Sequence, residues 1–275
     1  MFAWLRAGFA GLLVRSPLGF ASLRAGFAGL LDLVVPPRCA ACGACPGSAS
    51  ALCPSCDRRL QRIPRTRCAL CQAAPVPEPG GFCSACNGAS RPFVACIAAV
   101  AFAGDLEDWI HRFKYPAPGI AGLDPAAWAV VRQLIRESAD RVPGPPPALI
   151  VPIPLHPRRL RTRGFNPSAR LARVLARDRR VRVDPVALER IRDTPSQTGL
   201  SRKERRRNVR GAFRARGHVP RDVWLVDDVV TTASTLAEAA RALRRSGAQR
   251  IVCVCVARTV LGGDPAICVS GPSRR

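Results

Sequence analysis

The sequence predicts an α/β protein in which a parallel sheet is covered by helices on both faces and preceded by a small N-terminal module organised by cysteine. Three observations predict it. From residue 97 onward, short apolar runs bounded by turn residues alternate with segments of helical spacing. Nine of the 13 cysteines crowd between Cys39 and Cys86. One apolar run, Val223–Val226, ends on two acids and a small hydroxyl-rich loop that opens a helix, and ligands of parallel sheets bind beyond such strand ends.

A chain of 275 residues has room for one α/β domain of ordinary size and something smaller. The expected divisions are an extension over 1–35, a cysteine module over 36–90, the α/β domain over 95–262 and a flexible tail over 263–275. In the extension, LRAGFAGLL occurs at Leu5–Leu13 and again at Leu23–Leu31, displaced by 18 residues. That offset is five helical turns, so a continuous helix would present both copies on one face. Pro17 and Gly19 favour a break between them. Arg6, Arg15, Arg24 and Asp32 interrupt the apolar runs, which are too short to span a bilayer. An amphipathic extension is expected here; a secretory leader and a misassigned start codon are the alternatives. The closely paired cysteines that follow suit a reducing compartment, so a cytoplasmic protein is expected.

Those cysteines form four C-x-x-C units: Cys39 and Cys42, Cys53 and Cys56, Cys68 and Cys71, Cys83 and Cys86. A C-x-x-C turn lets two thiolates converge on one cation, and two turns complete a tetrahedral, closed structural site. Eight thiolates therefore predict two structural Zn²⁺ ions in a double zinc ribbon, paired sequentially, or a cross-braced module if the units interleave. Cys45 is left over. Cys96, Cys253, Cys255 and Cys268 lie mostly in apolar runs and read as small buried hydrophobes.

In the α/β part, strands are expected at 97–103, 148–151, 223–226 and 251–256, and helices at 105–113, 125–139, 167–177 and 234–245, with Gly247 as a C-terminal cap. The stretch 190–213 is polar and very basic. The whole chain carries 43 basic and 19 acidic residues, a net +24. Almost all of the positive charge is Arg. A GC-rich coding bias exchanges Lys for Arg but does not by itself create an excess of cations. Residues 151–221 alone hold 21 basic and 5 acidic residues. Such a field favours phosphorylated small molecules or nucleic acid as partners.

The segment from Val223 to Thr235 joins a buried strand, the acids Asp227 and Asp228, and a loop of Thr231, Thr232, Ala233, Ser234 and Thr235. Two adjacent carboxylates can accept hydrogen bonds from neighbouring sugar hydroxyls. Loop amides at a helix N-terminus suit a phosphate, which the helix dipole favours. This stretch resembles the phosphoribosyl pyrophosphate (PRPP) signature of type I phosphoribosyltransferases. Val151-Pro-Ile-Pro-Leu-His156, then Arg163-Gly-Phe-Asn166, and the series Arg192, Thr194, Gln197, Leu200, Arg205, Asn208 and Phe213 narrow the resemblance to the ComF family, across roughly residues 32–260.

The resemblance implies a type I phosphoribosyltransferase fold in which Asp227 and Asp228 are the catalytic acids holding the ribose, and residues 231–235 hold the 5′-phosphate. It places Pro152 and Ile153 in a loop beside the diphosphate and its Mg²⁺, with one or more of Arg158, Arg159 and Arg163 as guanidinium forks for phosphate oxygens. Residues 192–213 would form a hood that excludes water. His156 is read as a positioning residue rather than a general base. The family usually has Gly where Ala233 stands and Gln where Pro167 stands. The implied activity is displacement of pyrophosphate from PRPP by an acceptor left open, in a protein linked to DNA uptake and natural competence. The alternative is a non-catalytic, PRPP-responsive protein that binds single-stranded DNA or docks competence or DNA-processing proteins; a dimer is among the expected states.

Overall fold

The computed structural model describes residues 38–44, 50–88, 90–116, 124–194 and 202–260, with the side chains of 202, 203, 205 and 206 excepted. The repeat in 1–35, Cys45, Gln197, Leu200, Cys268 and the tail lie outside the described residues.

Four parallel strands form the sheet: β1 (Ala95–Ala101), β2 (Leu149–Pro152), β5 (Asp222–Val230) and β6 (Arg250–Arg258), in the order β1-β6-β5-β2. Central β5 and β6 read as unbroken apolar runs because both of their faces are covered. Trp224 and Val226 point to a cluster with helices α2 (Asp105–Lys114), α3 (Pro125–Asp140) and α5 (Pro167–Arg179). Val223 and Leu225 point the other way, to α7 (Ser234–Arg245) and to the antiparallel pair of β3 (Leu188–Arg190) with β4 (Phe213–Ala215). The short helices α1 (Pro54–Arg58), α4 (Pro157–Arg163) and α6 (Arg202–Val209) complete the set.

Register decides where a cleft can open. β2 ends with Pro152 opposite Val226, whereas β5 stays paired to β6 as far as Val230 opposite Arg258. Asp227 is thus the first β5 residue beyond the β2 ladder. Proline at N1 starts the flanking helices, where its missing N–H is no loss: Asp124 caps α3 by accepting from the Ala127 amide (2.9 Å), and Asn166 caps α5 by accepting from the Ser168 amide (3.1 Å). Pro167, unusual for the family pattern, sits at this tolerated position. Gly247 ends α7 at φ +111°, and a Cβ there would meet the His218 ring at 2.3 Å.

The cysteine segment is not a separate bead. Cys39, Cys53, Cys56 and Leu60 pack in the α2–α3–α5 cluster, and Cys68, Leu70, Cys71 and Cys86 in the α7 cluster, so the segment straddles the sheet at its β1 edge. Residues 61–63 run antiparallel to β1 there, with the Ile63 amide donating to Ala99 (3.0 Å) and the Ala101 amide to Gln61 (2.8 Å).

Candidate functional site

The two halves of the cysteine segment make two four-sulfur groups, Cys39, Cys42, Cys53, Cys56 and Cys68, Cys71, Cys83, Cys86, with the Sγ atoms of each group all within 4.8 Å of one another. The pairing is sequential. Four Zn–S bonds of about 2.3 Å arranged tetrahedrally place sulfurs about 3.8 Å apart. Cys42 and Cys53 Sγ are 3.7 Å apart, and Cys71 and Cys83 Sγ 3.8 Å, so the donor sets fit Zn²⁺. Amides support the thiolates, with Cys53 N donating to Cys39 Sγ (3.3 Å) and Ala73 N to Cys71 Sγ (3.4 Å). Burial by itself would raise the Cys39 thiol, but the amides of Cys53, Cys42 and Ala41 outweigh it and bring it down to about 6. Both groups are structural Zn²⁺ sites: each is closed by four protein ligands.

The second feature is a cleft of about 450 Å³ over the carboxyl ends of β2 and β5. Asp227, Asp228, Thr231, Thr232, Ala233, Ser234, Thr235 and Ile153 all line it. Pro152 is buried at the end of β2 and does not. Arg158 also stays outside, its exposed side chain 3.7 Å from Asp193. Arg159 and Arg163 line the cleft instead, because successive helical residues turn away from one another while i and i+4 share a face. Arg163 donates to the Tyr115 hydroxyl (2.5 Å) and Arg159 to the Thr194 carbonyl (2.9 Å). His156 accepts a long bond from the Arg158 amide (3.4 Å), capping α4.

The acids are held unequally. Asp228 pairs with Lys114 Nζ at 2.9 Å. Asp227 accepts from Ser168 Oγ (2.9 Å) and from the Asp228 amide (3.0 Å). Burial pushes the Asp227 carboxyl up to about 7, with the Asp228 charge adding to the rise; Ser168 and Lys114 oppose it. Ala233 sits at φ +57°, ψ +13°, the left-handed conformation that favours Gly, directly before α7. The turn brings Thr232 Oγ1 within 2.9 Å of Ser234 Oγ and leaves the start of α7 facing the cleft, with no side chain capping it.

Three cleft residues escape sequence reasoning. Lys114 reads as an ordinary cation at a helix C-terminus, Ser168 as a first-turn residue, and Arg190 as part of a basic run. Arg190 is 8% exposed, lines the cleft and leaves Nε without a partner. Only long-range packing brings them to the acids.

Residues 30–87 match the double zinc ribbon domain family, and residues 160–265 the phosphoribosyl transferase domain family. The chain is 35% identical over 213 residues to DNA utilization protein YhgH of Escherichia coli strain K12, spanning 76% of this chain and 91% of that protein. It is 33% identical over 215 residues to YhgH of Salmonella typhimurium strain LT2, with the same coverage of 76% and 91%. Competence protein F of Haemophilus influenzae is 38% identical over 109 residues, which span 38% of this chain and 48% of that protein. No helix among the described residues is long and apolar enough to cross a membrane.

Proposed function

Because the chain belongs to the ComF family, with a phosphoribosyltransferase domain behind a double zinc ribbon, we propose that its cleft binds PRPP with Mg²⁺ and serves phosphoribosyl transfer in the handling of incoming DNA. One observation carries this reading: the paired acids, the left-handed turn at Ala233 and the open start of α7 converge on a single cleft with Ile153 from the end of β2. Asp227 and Asp228 would accept the ribose hydroxyls. The amides of residues 231–235 would take the 5′-phosphate, with the helix dipole favouring its charge. Ile153 would flank the diphosphate, and Lys114, Arg159, Arg163 and Arg190 would supply cations around it. Mg²⁺, when bound, would screen the diphosphate and make it a better leaving group. The carboxylates would then favour the positive charge that develops on the ribose as pyrophosphate departs. The names of the relatives, a DNA utilization protein and a competence protein, support the link to DNA uptake.

Calorimetric titration with PRPP tests the reading. Binding is expected to require Mg²⁺ and to weaken about tenfold or more in Asp228→Asn, which removes a charged acceptor. Equal affinity with and without Mg²⁺, or in the variant, would overturn it.

The charge of residues 151–221 favours a second role, in which the basic hood also contacts single-stranded DNA. One diphosphate and one phosphate engage only a few guanidiniums, so the surplus suits a linear polyanion. Arg206→Glu with Arg207→Glu is expected to weaken oligonucleotide binding more than the same change at Arg244 and Arg245 of α7, with affinity falling steeply between about 50 and 200 mM salt. Equal losses would reduce the effect to net charge.

A further inference from the structure

Arg258 closes β6 with 2% of its surface exposed, and it heads the largest fully buried side chains. A guanidinium keeps its charge at any physiological pH, so burying one requires a negative partner close by. Among the described residues Arg258 forms no ion pair with a carboxylate. Its nitrogens meet two carbonyls and one sulfur at long range: Nε lies 3.4 Å from the Thr259 carbonyl, Nη2 3.5 Å from the Thr231 carbonyl and Nη1 4.0 Å from Cys96 Sγ. One of these, Thr231, opens the 231–235 loop.

The second tetrad approaches from the same side. Cys68, Cys71 and Cys86 share a packed cluster with Cys96, Cys253, Cys255 and Ala233. The Cys96 amide donates to the Leu70 carbonyl (2.9 Å), and the Ala98 amide to Gln72 Oε1 (2.8 Å), tying the Cys68–Cys71 turn to β1. Cys96 thus lies between that turn and Arg258, its amide bound to Leu70 of the turn and its Sγ facing Arg258 Nη1. Four thiolates around one Zn²⁺ carry a net charge of about −2. The first tetrad packs on the opposite face of the sheet.

We propose that the zinc-loaded second tetrad is the counter-ion of Arg258, and that Arg258 links zinc occupancy there to the firmness of the 231–235 loop through the Thr231 carbonyl. Arg258 is on this view a positioning residue, and the ribbon is part of the apparatus that holds the ligand. The link to ligand affinity rests on the reading of 231–235 as the phosphate loop; the counter-ion relation does not. The competing anion is Cys96, which hydrogen bonds from Cys253 and Cys255, with Arg258, hold well below the ordinary thiol range.

The test is the rate at which full-length, zinc-loaded protein gives up its metal to a zinc-selective chelating dye, with and without PRPP and Mg²⁺. In the unchanged protein, PRPP is expected to slow release of one of the two zinc equivalents several-fold. In Arg258→Gln, one equivalent should leave several-fold faster without ligand, and PRPP should no longer protect it. Arg258→Lys keeps the charge but loses the fork, so slow release should persist while protection by PRPP shrinks; this variant also serves if Arg258→Gln does not fold. Cys96→Ala should behave as the unchanged protein. Release rates indifferent to Arg258, or acceleration in Cys96→Ala matching that in Arg258→Gln, would overturn the proposal. Failure of PRPP to bind the unchanged protein in calorimetry would instead remove the proposed function, while the ligand-free rates still judge the counter-ion.

Discussion

Changing Asp227 to Asn should stabilise the fold while disabling the cleft, and the size of the gain can be worked from the environment of that carboxyl. Asp227 is pushed from 3.8 up to about 7, chiefly by burial and then by Asp228. A raised carboxyl pKa means that the folded chain binds this proton more tightly than the unfolded chain does. Between about pH 4 and 7 the unfolded state is the one that releases it, so stability declines with rising pH across that window. Above pH 7 the full cost is present. About three pKa units at about 1.4 kcal/mol each give an upper figure of about 4 kcal/mol at pH 8, shrinking to about 1.5 kcal/mol at pH 5. Asn retains an oxygen to accept from Ser168 and from the Asp228 amide, so the local hydrogen bonds survive while the charge is lost. Urea unfolding of both proteins without ligand, at pH 5, 6, 7 and 8, measures the difference at each pH, and zinc-linked effects common to both cancel. A difference that stays flat, or that favours the unchanged protein as pH rises, would refute the reasoning.

Ala233→Gly should relieve the left-handed strain at φ +57° and add about 1 kcal/mol of stability in denaturant unfolding, with PRPP affinity equal or tighter; weaker binding would mean that the Ala methyl itself shapes the loop. Cys56→Ser should lower the bound zinc from about two ions per chain to about one, by elemental analysis. It should also lower the thermal midpoint of the α/β core, because Cys39, Cys53 and Cys56 pack with α2, α3 and α5. An unchanged midpoint would show that the ribbon and the sheet melt independently.

Much of the fold was legible because its elements carry strong local signals. Helix 234–245 reads from sequence to the residue, set off by the small loop before it and by Gly247 after it. Strand β5 reads four residues short at its carboxyl end, since Asp227 and Asp228 interrupt the apolar run that β6 nevertheless keeps paired. Helix α4 buries no residue, so it has no apolar period to detect. The β3–β4 pair is three residues a side, pinned by Glu189 to Arg214 (2.5 Å) and Arg216 (2.6 Å), a tertiary arrangement across what reads as an undivided basic run. The acids and the small loop were legible as a unit because they are consecutive. Lys114, Ser168 and Arg190 come from three distant segments, and no local pattern announces their meeting. The cysteine spacing announced metal but left open which units pair; the chain path around the sheet edge decides it.

The path of residues 61–63 along β1 has a counterpart at the opposite margin. There the Ile150 amide donates to Arg182 (2.9 Å) and the Asp184 amide to Ile150 (3.0 Å), so β2 is flanked as well. Among the described residues, both lateral borders of this four-stranded sheet are therefore partly covered by the chain's own backbone, which shortens the ladder another molecule could extend. Zinc then has an expected second use: by holding the ribbon against β1 it keeps that strand covered, and a chain stripped of metal is expected to aggregate more readily.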